Sequence, residues 1–386
     1  MAASYAVLFK CHFWDAFAQR QLDRLSARVG RGDIYIFIDQ TNSVAGEPDH
    51  DPALVIRATE ADVEALGLAR YEHFSQFWFS ADYALHLLTR RHPDYDFYVM
   101  VEFDLVLNAD LDPMIDALEQ EEVDFVSHPI PEPPIEDFHW LYTAQGVYEL
   151  SEMRHWLTCI AIFSRQAAHR LFDRRIELSA RFRAGEITTW PMCELAIPTE
   201  MNIAGFRMKP LAELGSLQFY QWIPPYDEAA LPQLASGTFV HPVLDAKRFL
   251  NNIMRWHPNH LEFFEKESML WHRFAGAESR QLALPFLFEE ERRLGRTEWR
   301  ARIIELMHEV GDEAYLAHHG RDGRNVALNK QTWQSSWIGG RPAEPPRGEA
   351  VVGVVTGRAS FHTDADTRPW WIVDLEHSVP IEEVRV

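Results

Sequence analysis

The chain has 386 residues, 47% of them apolar and 12% aromatic, with 13 tryptophans, which suits a packed protein of two or three domains and excludes a disordered one. The formal charge of −21 lies mostly ahead of residue 325 and argues against nucleic acid or an anionic membrane as a default partner. A nucleotide ligand on such a surface needs a local cation.

Cys11, Cys159 and Cys193 are odd in number, widely spaced and without metal-ligand spacing. They suit free thiols in a reducing compartment. The start, Met-Ala-Ala-Ser-Tyr-Ala-Val, lacks a basic region followed by a long apolar core. No run approaches the about 18 apolar residues of a membrane span. The expectation is a soluble, cytoplasmic protein with no transmembrane segment.

In chain order, Tyr5 to Phe9 is a short apolar strand. Ala18, Leu22, Leu25 and Val29 then recur at helical spacing, and Gly30 and Gly32 close that helix. Asp33 to Asp39 is a second buried strand, so the first 39 residues form a βαβ unit with parallel pairing. Its first turn has no Gly-x-Gly-x-x-Gly, which counts against a dinucleotide-binding Rossmann domain. Leu54 to Arg57 reads as a third strand. The stretch 71–91 reads as one helix, and most of its Tyr71, Phe74, Phe77, Trp78, Phe79 and Tyr83 pack on the sheet.

The centre of the chain is the segment 96–110. Phe97 to Val101 is an unbroken apolar run, as in a strand buried on both faces of a parallel sheet. It runs straight into Glu102 and Asp104. Extended backbone there would project both carboxylates to one side. At ~6–7 Å they would repel by roughly 2–3 kcal/mol at an effective dielectric of about 20, so the pair needs a cation, a shifted pKa or open solvent. A hard divalent ion is the cation that takes carboxylate oxygens and leaves positions for phosphate. Ligands of open α/β sheets bind beyond the carboxyl ends of strands, where this pair falls.

A helix near 113–121 and a strand at 124–127 follow. The loop 129–137 is proline-rich and acidic, and leads into His139-Trp-Leu-Tyr142. Trp140 and Tyr142 suit stacking on the sugar rings of an acceptor, and equally suit plugging the sheet edge. Leu157 to Ser164 is the next buried strand, with a helix from Arg165 to Arg175 behind it. Glu194 and Glu200 then stand in a partly apolar setting. Thr238 to Val243 is a strand-like run that carries His241. Residues 251–320 have helical spacing, 321–324 form a linker, and the segment 325–386 changes character.

The acid-x-acid segment at Glu102 and Asp104, with the turn, helix and second strand after it, resembles the metal-binding segment of GT-A glycosyltransferases. The resemblance covers roughly residues 5–245, with Glu in place of the usual first Asp. It implies a GT-A-like α/β domain over residues 1–250, in which carboxylates and a divalent ion, Mn²⁺ more than Mg²⁺, hold the diphosphate of a nucleotide-sugar. It implies that Lys10, His12 and Asp39, at the ends of the first two strands, contact the donor. His241, in a His-Pro-Val segment, becomes a third metal ligand. The run Glu194, Thr199, Gly205 resembles the segment that supplies an acceptor-side carboxylate, making Glu194, then Glu200, the general base. The implied activity is metal-dependent transfer of a sugar to a carbohydrate acceptor, in cell-surface polysaccharide or glycan synthesis. Two other classes stay open. A nucleotidyltransferase would use the same sheet, but the first loop lacks the expected glycines and basic residues. A non-catalytic carbohydrate-binding protein would rest on the C-terminal segment alone.

In that segment Asn325 to Ser336, Gly353 to Gly357, Phe361 to Thr363 and Pro369 to Leu375 together resemble the discoidin (coagulation factor 5/8 type C) family. This implies a partial all-β jelly roll, a fold in which end loops often bind carbohydrate. Val352 stands where Asp or Asn is common, and the match covers about half of such a domain.

Overall fold

A computed structural model describes residues 2–256 apart from 43, 45, 72 and 73, with 262, 268 and 270 and the strands 331–334 and 371–374. The chain divides into two compact units, one of Met1–Ile223 and Gln233–Val243, the other of Pro224–Pro232 and Leu244–Val386.

The first unit begins with β1 (Tyr5–Cys11), buried at every position. Asp15 accepts hydrogen bonds from the Phe17 and Ala18 amides at 3.0 and 3.1 Å. That cap starts α1 (Ala16–Ser26), which buries Phe17, Ala18, Leu22 and Leu25. The chain returns as β2 (Asp33–Asp39), parallel to β1, as the βαβ pattern predicts. Next comes β3 (Val55–Ala58), parallel to β2. A capping box between Thr59 and Asp62 then opens α2 (Glu60–Ala65).

The single helix expected over 71–91 is two, α3 (Gln76–Phe79) and α4 (Asp82–Arg91). The break is at Ser80, whose backbone leaves the helical region (φ −119°, ψ 66°). Its hydroxyl accepts a hydrogen bond from the Trp190 indole at 3.2 Å.

The central strand β4 (Phe97–Glu102) pairs in parallel with β1. After the two-residue β5 (Val106–Leu107) and the crossover helix α5 (Leu111–Gln120) comes β6 (Phe125–Pro129). The long β7 (Trp156–Ser164) runs antiparallel to both β4 and β6. The β6–β7 connection carries no crossover helix, so antiparallel pairing follows. Then come α6 (Arg165–Arg183), α7 (Cys193–Ile203) and β8 (Met208–Pro210), the last parallel to β6. The sheet order is β3-β2-β1-β4-β7-β6-β8.

This is an α/β unit, a mostly parallel seven-stranded sheet flanked by helices and compatible with a Rossmann-like arrangement. Alternate residues of β1 feed separate cores. Ala6 and Leu8 meet residues of α4, α6 and α7, while Tyr5, Val7 and Phe9 meet those of α1 and α5. A smaller sheet joins β5, β9 (Phe219–Tyr220) and, past β10 (Tyr226–Asp227), β11 (Phe239–His241).

One core holds charge. Arg175 Nε and Nη2 donate to the two Asp82 oxygens at 2.7 and 2.9 Å, and Nη1 donates to the Pro191 carbonyl at 3.1 Å. His86 lies 3.2 Å from the same carboxylate, and both members of the Arg175–Asp82 pair are fully buried. Burial pushes the Asp82 pKa up, but Arg175 and His86 outweigh it and hold the group well below the usual carboxylate range.

The three cysteines are free and buried. Burial pushes the Cys11 and Cys193 thiols up to about 12, which makes them poor nucleophiles in the native state. A thiol reagent should therefore count three groups in denaturant without prior reduction, and far fewer in buffer. A denatured count below three would reveal a disulfide.

In the second unit α8 (Ala246–Trp256) covers the start of the expected helical extension. The rest of 251–320, apart from 262, 268 and 270, and the linker 321–324 lie outside the described residues. So does 325–386, except for β13 (Gln331–Gln334) and β14 (Trp371–Asp374); β12 (Val243–Leu244) lies earlier in the chain. β13 and β14 pair antiparallel, Gln331 opposite Asp374 and Gln334 opposite Trp371. Both lie in stretches that carry the discoidin resemblance, and the jelly roll itself lies outside the described residues. Among the described residues no helix is long and apolar enough to cross a membrane.

Candidate functional site

β1 has β2 on one side and β4 on the other, so the order of the sheet reverses at this strand. In open α/β sheets that reversal opens a crevice beyond the carboxyl ends of the two strands. The ladder sets Lys10 of β1 opposite Glu102 of β4. The Lys10 ammonium lies 3.2 Å from Glu102 Oε1 and is nearly buried, with no well-directed hydrogen bond.

The extended backbone stops at Glu102, which corrects the strand geometry expected for Asp104. The Leu105 amide donates to the Glu102 carbonyl at 3.1 Å and turns the chain. Asp104 sits in that turn, fixed by the Val243 amide, which donates to its carbonyl at 2.7 Å. Its carboxylate meets His241 instead of continuing the strand, with Oδ1 at 3.5 Å from Nε2. That Oδ1 is buried without a hydrogen bond.

His241 ends β11, where Tyr220 of β9 is its ladder partner. Its Nδ1–H donates to the Gln221 carbonyl at 2.7 Å, which leaves Nε2 to face Asp104. Burial pushes its pKa down, but Asp104 and Glu102 outweigh that and raise it. One ligand atom each from Glu102, Cys159 and His241 lie within 4.8 Å of one another. Burial, then Glu102, Asp104 and Glu194, push the Cys159 thiol well above its ordinary range. A protonated thiol is a poor ligand, which leaves Glu102 and His241 as the hard-ion donors of that group. Asp104 is not in that group and reaches it through His241 alone, at 3.5 Å. Oxygen and imidazole donors suit Mn²⁺.

Glu194 lies in the first turn of α7 and is half-buried. Burial, then the Glu102 charge, push its pKa from 4.5 up to about 8, with His241 and Lys10 pulling the other way. The fold thus brings Glu194 within electrostatic reach of Glu102, Lys10 and His241. This has a measurable consequence. Between about pH 4.5 and 8 the native state keeps a proton that the unfolded chain has released, so stability falls as pH rises through that window. Glu194→Gln should remove this group's share of the fall and be more stable than wild type at pH 8 by a few kcal/mol, each unit being worth ~1.4 kcal/mol. Parallel stability–pH curves for the two proteins would contradict it.

Asp39 ends β2, is buried, and accepts a hydrogen bond from the Thr41 amide at 2.9 Å. His12 follows β1, its ring edge-on to Phe13 and Phe103 at 5.1 and 5.2 Å between centroids. Burial pushes its pKa down, while Asp104, Asp39 and Glu102 pull it up. His12 therefore lies within electrostatic reach of Glu102 and Asp104, and Asp39 within reach of His12. Glu200 does not join the cluster. It is buried against Arg174, which donates to both its oxygens at 2.9 and 3.3 Å, and the Tyr148 hydroxyl adjoins it. Trp140 and Tyr142 pack together with centroids 6.1 Å apart, and Tyr142 keeps 46% of its surface exposed.

Sequence reasoning missed Cys159, hidden in an apolar strand, and Gln221, whose contribution is a backbone carbonyl and leaves no side-chain signal. Compared with protein-family models and with curated proteins, the sequence matches none.

Proposed function

We propose that this chain is a metal-dependent glycosyltransferase that moves a sugar from a nucleotide-sugar to a carbohydrate acceptor. The observation that carries the reading is that ligand atoms of Glu102, Cys159 and His241 lie within 4.8 Å of one another, with Asp104 3.5 Å from His241, beside the strand end where Lys10 of β1 faces Glu102 of β4 and the sheet order reverses. Glu102, Asp104 and His241 would hold a divalent ion, with Mn²⁺ preferred, and its chemistry there is to neutralise charge on the leaving diphosphate. Lys10 supplies a further positive charge at the same strand end. His12 and Asp39 stand beside it as donor contacts.

Glu194 takes the proton from the acceptor hydroxyl onto its carboxylate. Neutralising Glu102 removes part of the repulsion that raises the Glu194 pKa. This moves it toward neutrality, where a carboxylate serves best as a base. Glu200, committed to Arg174, holds α7 to α6. Trp140 and Tyr142 offer ring faces to the acceptor. The proposed setting is cell-surface polysaccharide or glycan synthesis from the cytoplasmic side, with the discoidin-like segment as an accessory carbohydrate binder.

A thermal-shift screen of nucleotide-sugars with and without Mn²⁺ tests the reading, because a ligand of the native state alone raises apparent stability. At least one donor should stabilise the protein only when Mn²⁺ is present. A full panel without any Mn²⁺-dependent shift would defeat it.

A further inference from the structure

A row of aromatic rings borders the carboxylate cluster and is tied to it at both ends. Trp222 follows Gln221, whose carbonyl holds His241 Nδ1. Its ring stacks on His139 with centroids 6.2 Å apart and planes at 28°. His139 lies against Trp140 at 4.9 Å, and Trp140 meets Trp78 edge-on at 5.7 Å. At the far end the Trp78 carbonyl lies 3.8 Å from the Sγ of Cys193, the residue before Glu194. Thr143, beside Tyr142, accepts the Met192 amide at 3.2 Å, which ties the same loop to the start of α7.

The row is exposed. Trp222 keeps 60% of its surface open, Trp78 51% and Tyr142 46%. The other large apolar side chains that the described residues expose, Leu150 and Ile203, are aliphatic. Single exposed apolar residues are ordinary, whereas contiguous ones mark a binding surface. The charge of the loop that carries His139, Trp140 and Tyr142, acidic up to the exposed Arg154, says which ligand it fits. Glu132, Glu136 and Asp137 are exposed just ahead of His139, and residues 129–153 contain no lysine or arginine. Such a border repels phosphates, sulfates and uronic acids. It leaves uncharged rings whose C–H faces lie on aromatic faces while their hydroxyls stay in water.

We propose that Trp222, His139, Trp140, Tyr142 and Trp78 form an acceptor platform for a neutral oligosaccharide of two or more sugar rings, laid beside Glu194. The inference rests on the glycosyltransferase reading and deepens it, from a carbohydrate acceptor to a neutral, multi-ring one. With neighbouring centroids 4.9–6.2 Å apart, the row is longer than one pyranose ring, so affinity must grow with chain length.

The test uses the full chain without metal or donor. Cello-, malto-, xylo-, manno- and chito-oligosaccharides of one to six units are titrated by tryptophan fluorescence, beside uronic-acid oligomers and a thymidine oligonucleotide. At least one neutral series should bind, more tightly from one unit to three, and above both anionic probes. Trp222→Ala and Trp78→Ala should each weaken that binding at least tenfold without moving the unfolding midpoint of Trp222→Ala. Trp222→Phe should restore most of the loss. The platform is overturned if no neutral series binds, if affinity ignores length, if an anionic probe binds tightest, or if both variants bind as wild type. Mn²⁺-dependent nucleotide binding, measured on the same proteins, separates the two proposals. Its persistence without glycan binding sinks the platform alone, and glycan binding without any nucleotide binding sinks the transferase reading instead.

Discussion

Asp104→Ala should abolish Mn²⁺-dependent nucleotide-sugar binding, lower turnover by at least about 100-fold, and leave the fold intact. A turn follows β4, closed by the Leu105 amide on the Glu102 carbonyl. Asp104 is positioned there by its backbone, through the Val243 amide, and alanine keeps that contact. Its side chain faces His241 Nε2 at 3.5 Å, a long contact, and its Oδ1 makes no well-directed hydrogen bond. Without Asp104 the His241 pKa falls, and the neutral ring keeps its Nδ1–H bond to the Gln221 carbonyl, so no buried charge is stranded and the cost to the fold is small. The loss falls on the ligand, because one of three donors disappears and charge on the leaving group goes less compensated. Unchanged donor affinity in a folded Asp104→Ala protein would remove the metal site from the account.

Arg175→Ala should be the most destabilising single change in the core, by about 3–5 kcal/mol, the cost of stranding one member of a buried ion pair. Asp82 would remain fully buried with only His86 beside it. The stacking of the guanidinium between Trp190 and Tyr83, at 5.4 and 5.9 Å, would also go. For a unit of this size the unfolding midpoint should drop on the order of 10 °C. The double change Arg175→Met with Asp82→Leu should recover much of that loss, because replacing both charges by apolar groups removes two desolvation costs at once. Denaturant titration decides it. A loss under about 1 kcal/mol for Arg175→Ala would mean that the pair is not held as the geometry implies.

Much of the sheet was legible because its strands are local. Tyr5 to Phe9, Asp33 to Asp39 and Phe97 to Val101 are apolar runs bounded by turn residues, and each is a buried strand. The same logic found Glu102, since a charge at the end of such a run stands out. Relations between strands were harder to read. Nothing in the sequence sets Lys10 opposite Glu102, because register comes from the pairing of whole strands. The direction of β7 depends on its connection to β6 rather than on its own residues. Arg175 and Asp82 look like solvated helix charges until α6 and α4 are packed together. Trp78 fits an inward aromatic stripe, yet the break at Ser80 turns it to solvent at 51% exposure. Glu194 was found as a carboxylate in an apolar setting, but its nearness to Glu102 spans 92 residues of sequence and only the fold supplies it.

The central claim is that one divalent ion joins Glu102, Asp104 and His241 to a nucleoside diphosphate. Water-proton relaxation by Mn²⁺ tests it most directly, with UDP, GDP, ADP, CDP and dTDP added in turn to wild type and to Glu102→Gln. The account predicts that one diphosphate produces strong enhancement with the wild type and little with the variant. No enhancement with any of the five, or equal enhancement in Glu102→Gln, would contradict it.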